Sequence, residues 1–409
     1  MTSDSRPVLT GPSAGDHVLG LARSGTEPAR AQLRAYTAEQ LAGAVTRLLP
    51  RERAELLELV ERPDEIVPLL PEAVFASTVL AMGIEDAGWL VQHASAEQRV
   101  AAVDLDCWKD FRFSPSRLFE WIDAMIEAGP ETLVAAFDEL DPELWVLAMK
   151  EMADFSVGVA ESPDMLTGDG LVSYSPRSAD HEERLQAILG TALTCSPPHY
   201  WSFVYGAMFE SRQECEHHAV RWQRGRLNDL GFPDRTEAMR AYRPLRAEAV
   251  TVRPVEVADR ETSALATSSG PPALLDGTLL GLALGQLPPD RASEVFEYVL
   301  AVATSLAVAD ELPLADPDSV SSSFRKALRG IERGLAELAK LREQPPVEVL
   351  SGVDPLDLFR LGATLDDGLR PHQKPADLWR AADGDDWNVR TEVIEPEDRT
   401  LAEDGRLRK

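Results

Sequence analysis

Cysteine is scarce. Three occur, Cys107, Cys195 and Cys215, with no CxxC spacing and no even set to form a framework. That usage excludes a disulfide-stapled secreted scaffold and a cysteine zinc site, and it predicts a reducing compartment. Basic side chains are outnumbered, 41 Lys and Arg against 69 Asp and Glu, for a net charge of −28. Such a surface repels phosphate backbones, which argues against non-specific nucleic-acid binding. Long uncharged apolar runs are missing. The longest candidates are interrupted by Asp276, Glu297 and Asp310, so no membrane insertion is expected. The opening MTSDSRPVLTGPSAGD has no basic stretch leading into an apolar one, and therefore does not read as a signal peptide. Together these predict a cytoplasmic protein. Also lacking are a Walker A loop, a Gly-x-Gly-x-x-Gly after a strand and a Gly-x-Ser-x-Gly elbow. No cofactor is implied.

A hydrophobic share of 44% over 409 residues is ample for a folded core, in two or three domains of about 150 residues each. Residues 1–34 are rich in Gly, Pro, Ser and Thr and are expected to be disordered. A helical repeat-like domain is predicted over 35–243, a linker over 244–272, a second helical domain over 273–365, and a mostly disordered tail over 366–409 with Trp379 and Trp387.

The first domain is built from a recurring unit: a leucine, a proline or cap, an acid in the first turn, then an amphipathic helix. It opens at Leu49-Pro50-Arg51-Glu52, Leu70-Pro71-Glu72, Ser95-Ala96-Glu97-Gln98, Pro130-Glu131 and Asp141-Pro142-Glu143, and again at Leu287-Pro288-Pro289-Asp290. Thr37-Ala38-Glu39-Gln40 and Ser95 to Gln98 are capping boxes. Short helices recurring about every 20–25 residues cannot bury their faces alone, so they stack into a superhelical array. The predicted fold is mainly α, with stacked short helices, a small β-hairpin near 155–175 around Gly168-Asp169-Gly170, and a second α-helical region.

The units LLPRERAELLELV and LDPELWVLAMKEM resemble the cytosolic N-terminal helical domain of MgtE-type magnesium transporters. That resemblance implies a regulatory superhelix. Transport does not carry over, because the chain lacks the transporter's membrane helices. Over its full length the chain is similar to an uncharacterised bacterial family of unknown function. The residues that carry this are Arg221-Trp222, Gly225-Arg226-Leu227, Leu230-Gly231-Phe232-Pro233, Val308-Ala309-Asp310, Gly334-Leu335, Glu337-Leu338 and Leu358-Phe359-Arg360-Leu361-Gly362. The resemblance implies no activity and no site residues.

The most strongly specified run is His199–Pro233. It starts behind Pro197 and Pro198 and stops at Gly231-Phe232-Pro233, which predicts one long helix near 199–230, spanning roughly 45 Å. Trp201, Val204, Met208, Cys215, Ala219 and Trp222 would form its buried seam. Two candidate sites lie on it. Glu214-Cys215-Glu216-His217 is a Glu-x-x-His, the spacing used by carboxylate-bridged metal bundles. With Glu210 and His218 it forms a dense cluster, but no second Glu-x-x-His exists. The other is the arginine run Arg221, Arg224, Arg226, Arg235, Arg240, Arg243 and Arg246, interleaved with Trp222 and Tyr242. Arginine forks grip carboxylate or phosphate at two points and stack on aromatics. Arg221, Trp222, Arg224 and Arg226 are therefore the expected interaction residues, for an unidentified protein partner. The leading expectation is a non-enzymatic scaffold or regulator. The alternative is a metal-dependent enzyme or cation sensor on Glu210, Glu214, His217 and His218.

Overall fold

Proline and capping residues set the starts of most helices. The computed structural model describes residues 26–46, 48, 50–109, 112–157, 170–251, 275 and 277–370. The chain divides into two compact units; the first ends at Leu227, and the second takes almost all of the rest. The break falls earlier than the expected boundary after residue 243.

In the first unit the helices are α1 (Thr26–Leu33), α2 (Ala38–Thr46), α3 (Pro50–Leu57), α4 (Glu72–Met82), α5 (Gly88–Gln92), α6 (Ala96–Asp106), α7 (Pro115–Glu127), α8 (Pro130–Glu139), α9 (Pro142–Met152), α10 (Ala179–Cys195), α11 (Pro197–Phe209) and α12 (Arg212–Asp229). They form two interleaved columns. α4 packs on α6, α6 on α8 and α8 on α10; α5 packs on α7, α7 on α9 and α9 on α11. Sequence neighbours pack as well, α7 on α8 and α10 on α11, so each face is covered from both columns, which is how a stacked array buries faces too narrow to form a core singly. Phe137, Trp145 and Phe203 fill the upper part of the stack, with ring centroids 5.1–5.3 Å apart. Burying three aromatics together stabilises more than their area alone.

Polar residues lock the stack. The Ser95 box forms as expected: Ser95 Oγ accepts from the Gln98 N–H at 3.2 Å, and Gln98 Oε1 accepts from the Ser95 N–H at 2.9 Å. Gln98 Nε2 also donates to the Val67 and Leu70 carbonyls, at 2.7 and 2.6 Å. The Thr37 box forms too. Arg53 is fully buried and donates to the Thr46 and Leu48 carbonyls and to Ser77 Oγ, so it caps the open end of α2. Burial lowers its guanidinium to about 10. Arg99 donates two bonds to the Glu139 carboxylate, at 2.6 and 2.7 Å, tying α6 to α8.

The expected hairpin is present as β3 (Ala153–Val157) and β4 (Val172–Pro176), antiparallel, with Phe155 opposite Tyr174. Its turn around Gly168 and Asp169 lies outside the described residues. A smaller ribbon, β1 (Trp108–Lys109) with β2 (Arg112–Phe113), was not expected. Residues 1–25 lie outside the described residues, but Thr26–Leu33 forms α1 where disorder was expected. The helix formers Glu27, Ala29, Arg30, Ala31 and Gln32 outweigh the neighbouring Gly and Pro, and Leu33 is buried.

The single helix expected over 199–230 is two helices. α11 ends at Phe209, Glu210 is extended (φ −80°, ψ 149°), and α12 starts at Arg212. Ser211 causes the restart: its Oγ accepts from the Glu214 N–H at 3.1 Å. Ser211-x-x-Glu214 is a capping signature in the sequence, set inside an otherwise continuous helical pattern. The restart resets the helical phase, so the predicted seam splits: Val204, Cys215 and Ala219 are buried, while Trp222 is exposed.

The second unit contains α13 (Leu279–Leu284), α14 (Pro289–Ala309), α15 (Pro317–Arg342), α16 (Pro346–Gly352) and α17 (Pro355–Leu365). Short helical turns at Arg235–Ala238 and Met239–Tyr242 join its core. The first part of the expected linker belongs to that core: Leu245 N–H donates to Thr364 Oγ1 at 3.0 Å, and Val250 is buried. Residues 252–274, and the tail from 371 with Trp379 and Trp387, lie outside the described residues. By length and composition α14 is the one helix, among the described residues, apolar enough to cross a membrane. Here its Val295, Val299, Ala303 and Leu306 are fully buried in the unit's core.

Three glycines set the α15–α17 contact. A Cβ on Gly334 would stand 2.0 Å from the Leu358 carbonyl oxygen, and one on Gly362 would stand 2.0 Å from that of Gly330. The two backbones therefore touch directly. Nearby, the Tyr242 hydroxyl donates to Asp310 Oδ1 at 2.7 Å, and Lys326 Nζ lies 2.6 Å from Asp310 Oδ2 and over the Tyr242 ring.

α14 and α15 end in left-handed residues that are not glycine: Glu311 (φ 56°) and Glu343 (φ 53°). Each is followed by the bond that closes such a cap, Leu312 N–H to Ala307 O and Gln344 N–H to Ala339 O. Glu311 is paired with Arg235, whereas the Glu343 side chain is exposed. Glu343→Gly is expected to stabilise the protein by about 0.5–1 kcal/mol, by relieving the Cβ clash of that conformation. Glu311→Gly should bring no such gain, because it also removes the ion pair. Urea unfolding of both variants checks the contrast.

Candidate interaction surfaces

The predicted metal cluster is not assembled. Glu210 is exposed beyond the end of α11, and its Oε2 accepts from Cys215 Sγ at 3.3 Å. Glu214 is exposed at the start of α12. His217 faces solvent, and His218 Nδ1 lies 3.6 Å from Glu143 Oε1. The helix break leaves Glu210 in the extended link before α12, off the helix that carries Glu214, and adjacent histidines point about 100° apart. Among the described residues, no group of three or more His, Cys, Asp or Glu is arranged to hold a metal ion. Burial, then the Glu210 carboxylate, push the Cys215 thiol up to about 12, so it carries no thiolate at neutral pH.

One polar arrangement lies at the start of α11. Ser196 Oγ lies 2.7 Å from His199 Nδ1, and His199 Nε2 lies 3.4 Å from Asp138 Oδ1. This has the connectivity of a Ser–His–Asp triad but not its environment. Asp138 is exposed, and Ser196 N–H is bonded to the Ala192 carbonyl. Pro197 and Pro198 supply no N–H to stabilise an oxyanion. The arrangement is the local order of a helix start.

The arginine candidates separate. Arg226 is engaged internally: it donates to both Asp104 oxygens, at 2.6 and 2.9 Å, and to both Asp141 oxygens, at 2.8 and 2.7 Å. It clamps α12 to α6 and to the start of α9. Asp104 is 1% exposed. Burial pushes its carboxyl up to about 6 against the pull of Arg226, while both carboxylates raise the Arg226 guanidinium. Arg226 is therefore removed from the expected interaction set.

Arg221 and Arg224 point outward with His217 and Asn228, spaced to share one face of α12. Trp222 flanks that face and is 58% exposed. From His217 to Asn228 the helix has no acidic residue. Arg221 has no partner among the described residues, whereas Arg212 at the start of the same helix pairs with Glu151 and Glu216.

A second surface departs from the seam that the sequence predicts. Trp201, Tyr205 and Phe209 recur every four residues along α11 and stack on one another, with centroids 5.3 and 6.0 Å apart and planes tilted by 21° and 20°. The sequence pattern predicts Trp201 on a buried seam. Instead the ladder opens to solvent towards its end, where Tyr205 is 46% and Phe209 72% exposed. The signal was present as W-x3-Y-x3-F, but apolar periodicity does not say whether a stripe faces a core or a partner.

These features define a mainly helical array with two exposed surfaces, an arginine-bearing face and an aromatic ladder, and with no His, Cys, Asp or Glu group arranged to hold a metal ion among the described residues. Residues 30–403 match the model of a family of unknown function, DUF6178, and the chain belongs to that family. No curated protein and no solved structure gives a significant match.

Proposed function

We propose that the protein is a non-enzymatic scaffold or regulator, working in the cytoplasm through protein contacts, and that the outward face of α12 docks an acidic segment of a partner. The observation that carries this is Arg221, which has no carboxylate partner among the described residues and lies beside the exposed Trp222 in a chain of net charge −28. Where acids outnumber bases, internal pairing is easily had, so an unneutralised arginine next to a bare indole is what an external carboxylate would use. The proline-opened, acid-capped helices support the likeness to the cytosolic domain of MgtE-type transporters. By that analogy the array regulates by contact; no transport follows from it.

The test is fluorescence anisotropy with a labelled glutamate- and aspartate-rich peptide, at about 0.15 M salt, where screening limits the repulsion from the rest of the chain. Arg221→Glu with Arg224→Glu is expected to weaken binding by at least about tenfold, or 1.4 kcal/mol. Arg51→Glu, at another exposed arginine of the same unit, should change little. Equal loss in both, or no binding by the wild type, would refute the reading.

A further inference from the structure

The α11 ladder fits a different occupant from the α12 face. α11 has no Asp, Glu, Lys or Arg between Pro197 and Phe209. Its rings recur every four residues, a rise of about 6 Å, and Tyr205 and Phe209 are exposed. The hairpin strand β3 packs on the same helix, and the hairpin exposes Val157 and Leu171. Exposed apolar groups clustered on one helix face mark contact sites.

Charge selects the occupant. Two copies of a chain at −28 repel each other. The work of bringing them together is smallest where the contacting helix itself carries no carboxylate, and α11 contributes none over its thirteen residues, Glu210 lying just beyond its end. Spacing selects the geometry. The ladder is self-complementary about its middle ring. Turned antiparallel, Tyr205 meets Tyr205, and Trp201 meets Phe209, with the same pitch on both sides. That is the requirement of an isologous two-fold interface, in which one patch must match itself.

We propose that α11 is the interface of a two-fold homodimer, with Tyr205 at the axis and Trp201 of each copy against Phe209 of the other. Rings at such contacts interlock by offset stacking, and aromatic residues are enriched at interface centres. This interface stands apart from the α12 docking face, and each can fail without the other.

Analytical ultracentrifugation of the full chain provides the test. A dimer is expected, and it should tighten in about 1 M salt, where the Debye length is ~3 Å and repulsion between the two acidic copies is screened. Tyr205→Glu and Phe209→Glu should each weaken dimerisation by at least about tenfold, with unchanged circular dichroism, because both side chains are exposed. In a Cys195→Ser background, Tyr205→Cys should give a disulfide-linked dimer under mild oxidation. A monomer at every concentration and salt would overturn the proposal. So would a dimer that dissociates with salt, or one indifferent to both glutamate substitutions.

Discussion

Gly334→Ala is expected to destabilise the second unit by more than about 3 kcal/mol, the upper end of what overpacking costs. The added methyl would lie 2.0 Å from the Leu358 carbonyl oxygen and 2.8 Å from its carbon. Nothing there can rotate away, since the obstacle is main chain. Either α15 and α17 separate, which opens a gap along Phe359 and Leu335, or the α17 ladder is distorted. Gly362→Ala meets the same problem at the Gly330 oxygen and should cost a similar amount. Gly330→Ala strikes the Phe359 ring instead, at 2.3 Å, and a buried ring that can shift should make this the mildest of the three. Gly225→Ala is the control. It lies within α12 with nothing within 4 Å of the added carbon, so it should stabilise by about 0.5–1 kcal/mol through helix propensity alone. Denaturant unfolding should rank the four in that order. A neutral Gly334→Ala would mean that the helices do not cross as described.

Arg226→Met should cost about 3–5 kcal/mol, the usual loss when one member of a buried ion pair is removed. It strands Asp104, which is 1% exposed, and leaves Asp141 without its fork. The pH dependence has a definite sign. Burial already raises the Asp104 carboxyl to about 6 with Arg226 present, and without the guanidinium it rises further. An acid whose folded value exceeds its unfolded value of about 3.9 binds more protons when folded across that window, so stability falls as pH rises through it. The variant's deficit should therefore be largest near pH 8 and shrink towards pH 5. Adding Asp104→Leu should recover part of the loss, since an apolar pair of similar volume is tolerated better than a lone buried charge. Chemical unfolding of the three proteins at both pH values tests the argument.

The repeat was legible because its signals are local. Prolines at first helical positions, the boxes at Thr37 and Ser95, and the stop at Gly231, which takes φ +83°, are read within a few residues. The break at Ser211 was as local, but apolar periodicity on both sides masked it. The fate of Arg226 was not local at all. Its carboxylates come from 122 and 85 residues away, and no helical rule distinguishes a clamped arginine from a free one. Gly334, Phe359 and Gly362 stood out in the sequence without a reason. The reason is a backbone approach between two helices, which a one-dimensional pattern does not record. In the candidate sites, residue types were found and geometry was not: the Glu–His spacing was real, yet its side chains turn to separate tasks.

A generic capping box accepts glutamate or glutamine at its third helical position, because only an oxygen is asked for. Gln98 is asked for more. Its amide nitrogen serves the Val67 and Leu70 carbonyls, 31 and 28 residues upstream, while its oxygen closes the box. A glutamate has nothing to donate to those carbonyls and would set a buried negative charge beside them. The two residues are therefore interchangeable as start signals but not as parts of this molecule.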